Sequence, residues 1–186
     1  MTNRIVVVTI GKTHSGKTTF AKQLELQLKN AVMIDQDNHA SFINAYYESL
    51  RPKEGPNKLK YAVTQSIIDY AVNQTDCHIV LCNSNLARKG RMEVLNYFRS
   101  KGFIAILVYF DIPEDVLQIR VKESQRSKDI FRSGSTFEDV LARQLKNEIS
   151  VPEKDEADYL YVVRSNEVDV PMIIEKITEI NERIRQ

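Results

Sequence analysis

The sequence predicts an α/β fold, a doubly wound parallel sheet of five strands with helices on both faces. Three observations lead there. Apolar runs of strand length alternate with stretches of helical periodicity along the chain. The apolar runs are nearly continuous, as strands covered on both faces must be. A glycine-bearing loop separates the first apolar run from the first amphipathic stretch.

Taken in order, Arg4 to Ile10 is the first strand and Lys17 to Lys29 the first helix, with Phe20, Leu24 and Leu28 recurring every fourth residue on one face. Ala31 to Asp35 is the second strand, followed by a helix from Asp37 to Ser49. The eight residues from Arg51 to Lys58 hold two prolines and a glycine and form a loop. A helix from Lys58 to Gln74, a strand from Cys77 to Cys82, a helix from Arg88 to Lys101 and a strand from Phe103 to Phe110 continue the alternation. After a helix from Glu114 to Glu123, residues Ser124 to Ser135 turn polar, carry Arg126, Lys128 and Arg132, and read as a mobile lid. Helix Thr136 to Ile149, strand Tyr159 to Val163 and helix Val170 to Arg185 complete the chain, the last with isoleucines at 173, 174, 177, 180 and 184 facing a core. No repeat or second composition appears, so residues 1–186 read as one domain.

The bulk numbers exclude some partners. With 26 basic and 25 acidic side chains the net charge is +1, so no overall field would hold a nucleic acid or an acidic membrane. The apolar run Ile5 to Ile10 is too short for a signal peptide core or a membrane span, which predicts a cytoplasmic protein with no membrane partner. Cys77 and Cys82 read as reduced thiols. No obligate protein partner is evident.

Gly11-Lys12-Thr13-His14-Ser15-Gly16-Lys17-Thr18 fits G-x-x-x-x-G-K-[ST] at every fixed position, between a strand and a helix as that motif requires. The bare pattern would occur by accident in roughly one such chain per hundred. Glycines let successive backbone N–H groups of Gly11, Thr13, His14, Ser15, Gly16, Lys17, Thr18 and Thr19 curl around phosphate oxygens, and the helix N-terminus adds positive potential. Lys17 then meets the outer phosphates of ATP, and the Thr18 hydroxyl is a ligand for Mg2+.

The loop after the second strand discriminates between chemistries. A GTPase would need an N-K-x-D motif, but Asn57-Lys58-Leu59-Lys60 lacks the aspartate. Asp35-Gln36-Asp37-Asn38 instead offers two carboxylates at a strand end, where ligands bind in doubly wound sheets. One would accept or orient an acceptor hydroxyl proton while the other supports it or the metal. Asp37 also stands where a helix N-cap would, and the two roles are compatible.

These motifs resemble the P-loop kinase group that includes polynucleotide kinase, gluconate kinase, adenylylsulfate kinase and zeta-toxin-like enzymes. The similarity runs in order through Asp35-Gln-Asp37-Asn38, Ile79 to Leu86 followed by Arg88 and Arg91, Asp111-Ile-Pro113 to Arg120, Phe137 to Gln144, and Val151 to Glu156. The resemblance implies the P-loop nucleoside triphosphate hydrolase fold of kinase type with a lid. It implies Asp37 as general base, Asn83 and Arg88 as acceptor contacts beside Asp35, Arg120 near the adenine and Arg126 as the lid arginine at the phosphates. Two positions depart from the group. Cys82 stands where it commonly has an aspartate that supports magnesium, and Ala40 replaces an arginine that follows the base. The reading is an ATP-dependent phosphotransferase acting on a hydroxyl of a nucleoside, nucleotide or polynucleotide end. The alternatives are a small-molecule kinase, for a sugar acid, antibiotic or metabolite, and a non-catalytic ATP-binding switch.

Overall fold

The computed structural model describes residues 4–131, 135–147 and 150–185. Five parallel strands form one sheet: β1 (Arg4–Ile10), β2 (Ala31–Ile34), β3 (His78–Leu81), β4 (Phe103–Phe110) and β5 (Tyr159–Val163), in the order β2-β3-β1-β4-β5. β1 is central, pairing Val6 with Ile79 on one side and Arg4 through Ile10 with Phe103 through Tyr109 on the other.

Side chains of a strand alternate between faces, and β1 uses both. Ile5 and Val7 enter a core with Phe20 and Leu24 of α1 (Lys17–Gln27), Leu117 of α5 (Glu114–Lys122), Leu141 of α6 (Phe137–Lys146) and Ile173 of α7 (Asn166–Arg185). Val6, Val8 and Ile10 enter the opposite core with Ile68 of α3 (Lys58–Gln74) and with Leu95 and Phe98 of α4 (Arg88–Ser100). Helices therefore cover both faces, as the sequence predicts. α2 (Gln36–Tyr46) packs beside α3 at the carboxyl ends of the strands.

Several boundaries shift, each for a physical reason. Asp35 leaves β2 because its carboxylate turns to accept the Asp37 N–H and cap α2, which starts at Gln36 rather than Asp37. α7 begins four residues before Val170: Asp169 accepts from the N–H groups of Arg164 and Ser165, starting a helix that continues through Pro171. α6 is described to Lys146, and the predicted extension to Ile149 runs onto residues 148 and 149, outside the described residues. The predicted lid is described over residues 124–131 and at Ser135, without helix or strand. Among the described residues no helix is long and apolar enough to cross a membrane.

Candidate active site

The loop between β1 and α1 is shaped by two glycines. A side chain on Gly11 would come within 2.9 Å of Phe110 Cβ and of Ser15 Oγ, and one on Gly16 within 2.2 Å of Asn166 Nδ2; both backbones have positive φ, at 153° and 101°. Gly16 is the residue from which α1 starts, so the free N–H groups of that helix's first turn belong to this loop. Lys17 folds its amine onto the Lys12 carbonyl and lies 3.2 Å from Ser15 Oγ. Burial pushes that amine down to about 8.

The Thr18 hydroxyl lies 3.4 Å from Asp35 Oδ2 and accepts from the Cys82 thiol at 3.5 Å. Asp35 is buried, and burial raises its pKa against the opposing effect of the Asp37 N–H. Burial also pushes Cys82 up to about 12, so a neutral thiol stands beside Thr18 and Asp35 supplies the nearby carboxylate. Asp111, from the Asp111-Ile-Pro113 stretch, faces Tyr109 and Arg164. Asp37 is half-exposed and faces Arg126 at 3.5 Å. The two carboxylates thus divide, one toward Thr18 and one toward Arg126.

Lys17, Thr18, Asp35, Asp37, Asn83 and Arg126 line one cavity of about 460 Å³. Asn83 is fixed there by accepting from the Gln36 N–H at 3.3 Å. A second recess, about 740 Å³, lies on the other side of the loop and is lined by His14, Gly16, Thr19, Arg120, Arg126 and Asn166. Arg126 borders both. The Arg120 guanidinium donates to the His14 carbonyl at 3.3 Å and to Asn166 Oδ1 at 2.8 Å, while Asn166 Nδ2 donates to the Ser15 carbonyl at 3.0 Å.

His14 contributes more than its backbone. Its ring contacts Thr13 Oγ1 at 2.9 Å and Ser124 Oγ at 2.7 Å and packs edge-on against Phe137, tying the loop to the segment that follows α5. Burial, with the charges of Arg126 and Lys17, lowers its pKa to about 4, so the ring is neutral near pH 7.

Other expected residues lie elsewhere. Arg88 is not brought to the cavity; it pairs with Glu153 at 3.3 Å and Glu156 at 3.2 Å. Arg91, which follows Arg88 in the same segment, is fully buried and grips Glu156 through Nε at 2.6 Å and Nη2 at 2.9 Å. Arg132 falls outside the described residues. Conversely, Asn166 and Gln144, whose Oε1 accepts from the Thr13 N–H at 2.7 Å, escape sequence reasoning as site residues. Gln144 and its neighbour Arg143, which lines the cavity, sit within a motif segment already visible in the sequence; Asn166 has no such signal.

Residues 6–147 match the model of the AAA domain family. The chain belongs to this family. No curated protein matches the sequence. Among solved structures, it is similar to a sugar kinase from Janibacter sp. HTCC2649, with 19% identity, a TM-score of 0.60 and coverage of 95% of this chain and 93% of that one. It is similar to Chaetomium thermophilum Kti12 in complex with ADP-AlF3, with 16% identity, a TM-score of 0.65 and coverage of 94% and 97%. The Mycobacterium tuberculosis APS kinase CysC, in complex with AMPPNP and APS, shares 14% identity and a TM-score of 0.61 over 98% and 99% of the two chains. At these identities the likeness is one of fold: an α/β P-loop architecture whose solved neighbours include kinases.

Proposed function

We propose that this protein is an ATP-dependent kinase that transfers the γ-phosphoryl group to an acceptor hydroxyl. The observation that carries the reading is the convergence of Lys17, Thr18, Asp37 and Arg126 on one cavity. Phosphoryl transfer asks mainly for positioning and for cations around the equatorial oxygens. Lys17 and Arg126 supply the cations. Asp37 accepts the hydroxyl proton as the acceptor oxygen bonds to phosphorus and the bond to the β,γ-bridging oxygen breaks, releasing ADP. The recess between Arg120, Thr19 and Asn166 takes the adenine end.

The donor set suits magnesium. Thr18 Oγ1 and the Asp35 carboxylate are hard oxygen donors 3.4 Å apart, and no group of three or more metal-binding side chains occurs among the described residues. That composition fits an ion that keeps waters and phosphate oxygens rather than one held in an all-protein cage. Bound there, magnesium would neutralise charge on the transferring phosphates.

For the acceptor, one observation favours a small hydroxylated molecule, nucleosides and nucleotides included, over a polynucleotide end. Of the exposed tyrosines near the acceptor side, Tyr61 lines the cavity, whereas Tyr46 and Tyr47 do not and stand against Phe42 with ring centres 5.3 and 5.5 Å away. The test is a labelled-ATP screen across nucleosides, nucleic-acid ends and hydroxylated metabolites. Label on one acceptor class supports the kinase reading; tight ATP binding with no transfer to any class would replace it with a nucleotide-binding switch.

A further inference from the structure

Resting on that kinase reading, we infer that the acceptor carries an oxyanion group, a phosphate, sulfate or carboxylate, held between Lys60 of α3 and Arg143 of α6. The argument is a census of charge around the 460 Å³ cavity, a size suited to a single small molecule. Its cationic side chains are Lys17, Lys60, Arg126 and Arg143, and its carboxylates are Asp35, Asp37 and Asp139. Each carboxylate already has work. Asp35 caps α2 and faces Thr18, Asp37 faces Arg126, and Asp139 closes the capping box with Thr136 at the start of α6. Lys17 is turned into its own loop.

Lys60 and Arg143 remain. Neither has a carboxylate within ion-pair distance among the described residues, and the nearest printed company of the Lys60 amine is the Tyr61 ring, 5.2 Å from its centre. They come from different walls, α3 and α6, and both line the space into which Asp37 projects. Two unpaired cations facing one cavity from separate helices repel each other and lose solvent when a ligand enters, unless that ligand brings negative charge. Lys60 is half-buried and Arg143 exposed, so a neutral acceptor would leave them to water and draw no binding energy from either. An acceptor with a hydroxyl for Asp37 and an oxyanion for Lys60 and Arg143 satisfies the whole lining, with Tyr61 available to cover an apolar or ring portion. Ala40, also in the lining, contributes no cation of its own from the α2 wall.

The experiment has a binding arm and a transfer arm. Protein loaded with AMPPNP is titrated with inorganic sulfate by calorimetry, as wild type and as the Lys60→Met, Arg143→Met double variant. Wild type should bind sulfate with a dissociation constant on the order of millimolar, and the double variant at least about tenfold more weakly. No sulfate binding by wild type, or equal binding by the variant, would overturn the anion site. The transfer arm compares acceptors that keep the same hydroxyls and differ in an anionic group, gluconate with gluconamide and adenosine 5′-phosphate with 5′-deoxyadenosine. Transfer should favour the anionic member, and each single variant should raise its KM by roughly ten- to a hundredfold with little change in KM for ATP. Equal use of the neutral members would also overturn the inference. Sulfate binding as expected, with transfer to no acceptor at all, would keep the anion site and remove the kinase reading. Lys60→Gln and Arg143→Gln serve as second variants against a folding defect.

Discussion

Asp35 and Asp37 are separated by one residue, yet one faces Thr18 from a buried position and the other faces Arg126 across the cavity. The sequence makes both visible as a pair at a strand end, but their division depends on where α2 begins, and a helix start is uncertain by a residue or two in any sequence reading. The division has a consequence for mutation. Asp37→Asn should leave stability nearly unchanged, since Asp35 is the cap, and lower turnover by about a hundredfold to ten-thousandfold with ATP affinity preserved. Asp35→Asn should instead raise the magnesium concentration needed for half-maximal rate. Steady-state transfer over a magnesium series distinguishes the two, and normal transfer by Asp37→Asn would remove it as the base.

Lys17 carries a pH dependence with a definite sign. Its amine falls from an ordinary 10.5 to about 8 in the nucleotide-free protein because it is buried. Between those values the unfolded chain holds a proton that the folded one has lost, so burying the amine costs least at high pH, and this contribution to stability rises with pH through that window. Polyphosphate binding requires the ammonium form, so binding takes up a proton above pH about 8 and affinity for ATP should fall by up to about tenfold per pH unit. Calorimetric titration from pH about 7 to about 9.5 measures it. A flat affinity in wild type, or the same fall in Lys17→Met, would contradict the assignment.

At the scale of elements, β1, β4, β5 and α3 fall where apolar pattern and turn residues put them, because their signals are long and local. α7 begins earlier than its pattern implies, since Pro171 reads as a boundary while the capping contacts of Asp169 lie upstream of it. That early start carries Asn166 to the P-loop, a long-range meeting that no local signal announces. It also explains why position 16 must be glycine beyond its left-handed backbone. Gly16→Ala should cost on the order of 1–3 kcal/mol from φ strain, with added cost from collision with Asn166. In a double-mutant cycle, Asn166→Ala should recover the collision part but not the strain, giving a measurable coupling in denaturant unfolding. A Gly16→Ala protein as stable as wild type, or strictly additive losses, would show that the contact is not tight.

For the whole molecule, the strand order sets the site: the ends of β2, β3 and β1 lie side by side, so Asp35, Cys82 and the P-loop meet although the first two are 47 positions apart in the chain. That wall was readable, because it follows from alternation and topology. The opposite wall was readable only in part: Arg143 and Gln144 lie in a visible motif segment and Lys60 in a basic stretch beside Tyr61, but that they face one cavity depends on how α3 and α6 pack across it. Likewise the buried Arg91–Glu156 pair joins α4 to residues 150–156 over a distance that spacing cannot express. Since α1, residues 124–126 and α7 all border the recess proposed for the nucleotide, ligand there should stabilise the folded chain as a unit. A ligand at about a hundred times its dissociation constant adds about 2.7 kcal/mol. For a chain of this length that is a rise of roughly 5–10 °C in Tm. Wild type with magnesium and AMPPNP should show it in thermal unfolding, and Asp37→Asn should show nearly the same rise, because its carboxylate faces the acceptor side. Lys17→Ala, lacking the cation for the outer phosphates, should lose most of the rise while its nucleotide-free Tm is maintained or increased, since a buried amine is removed. An equal rise in Lys17→Ala, or none in wild type at millimolar nucleotide, would mean that the loop does not hold phosphates in the way its geometry implies.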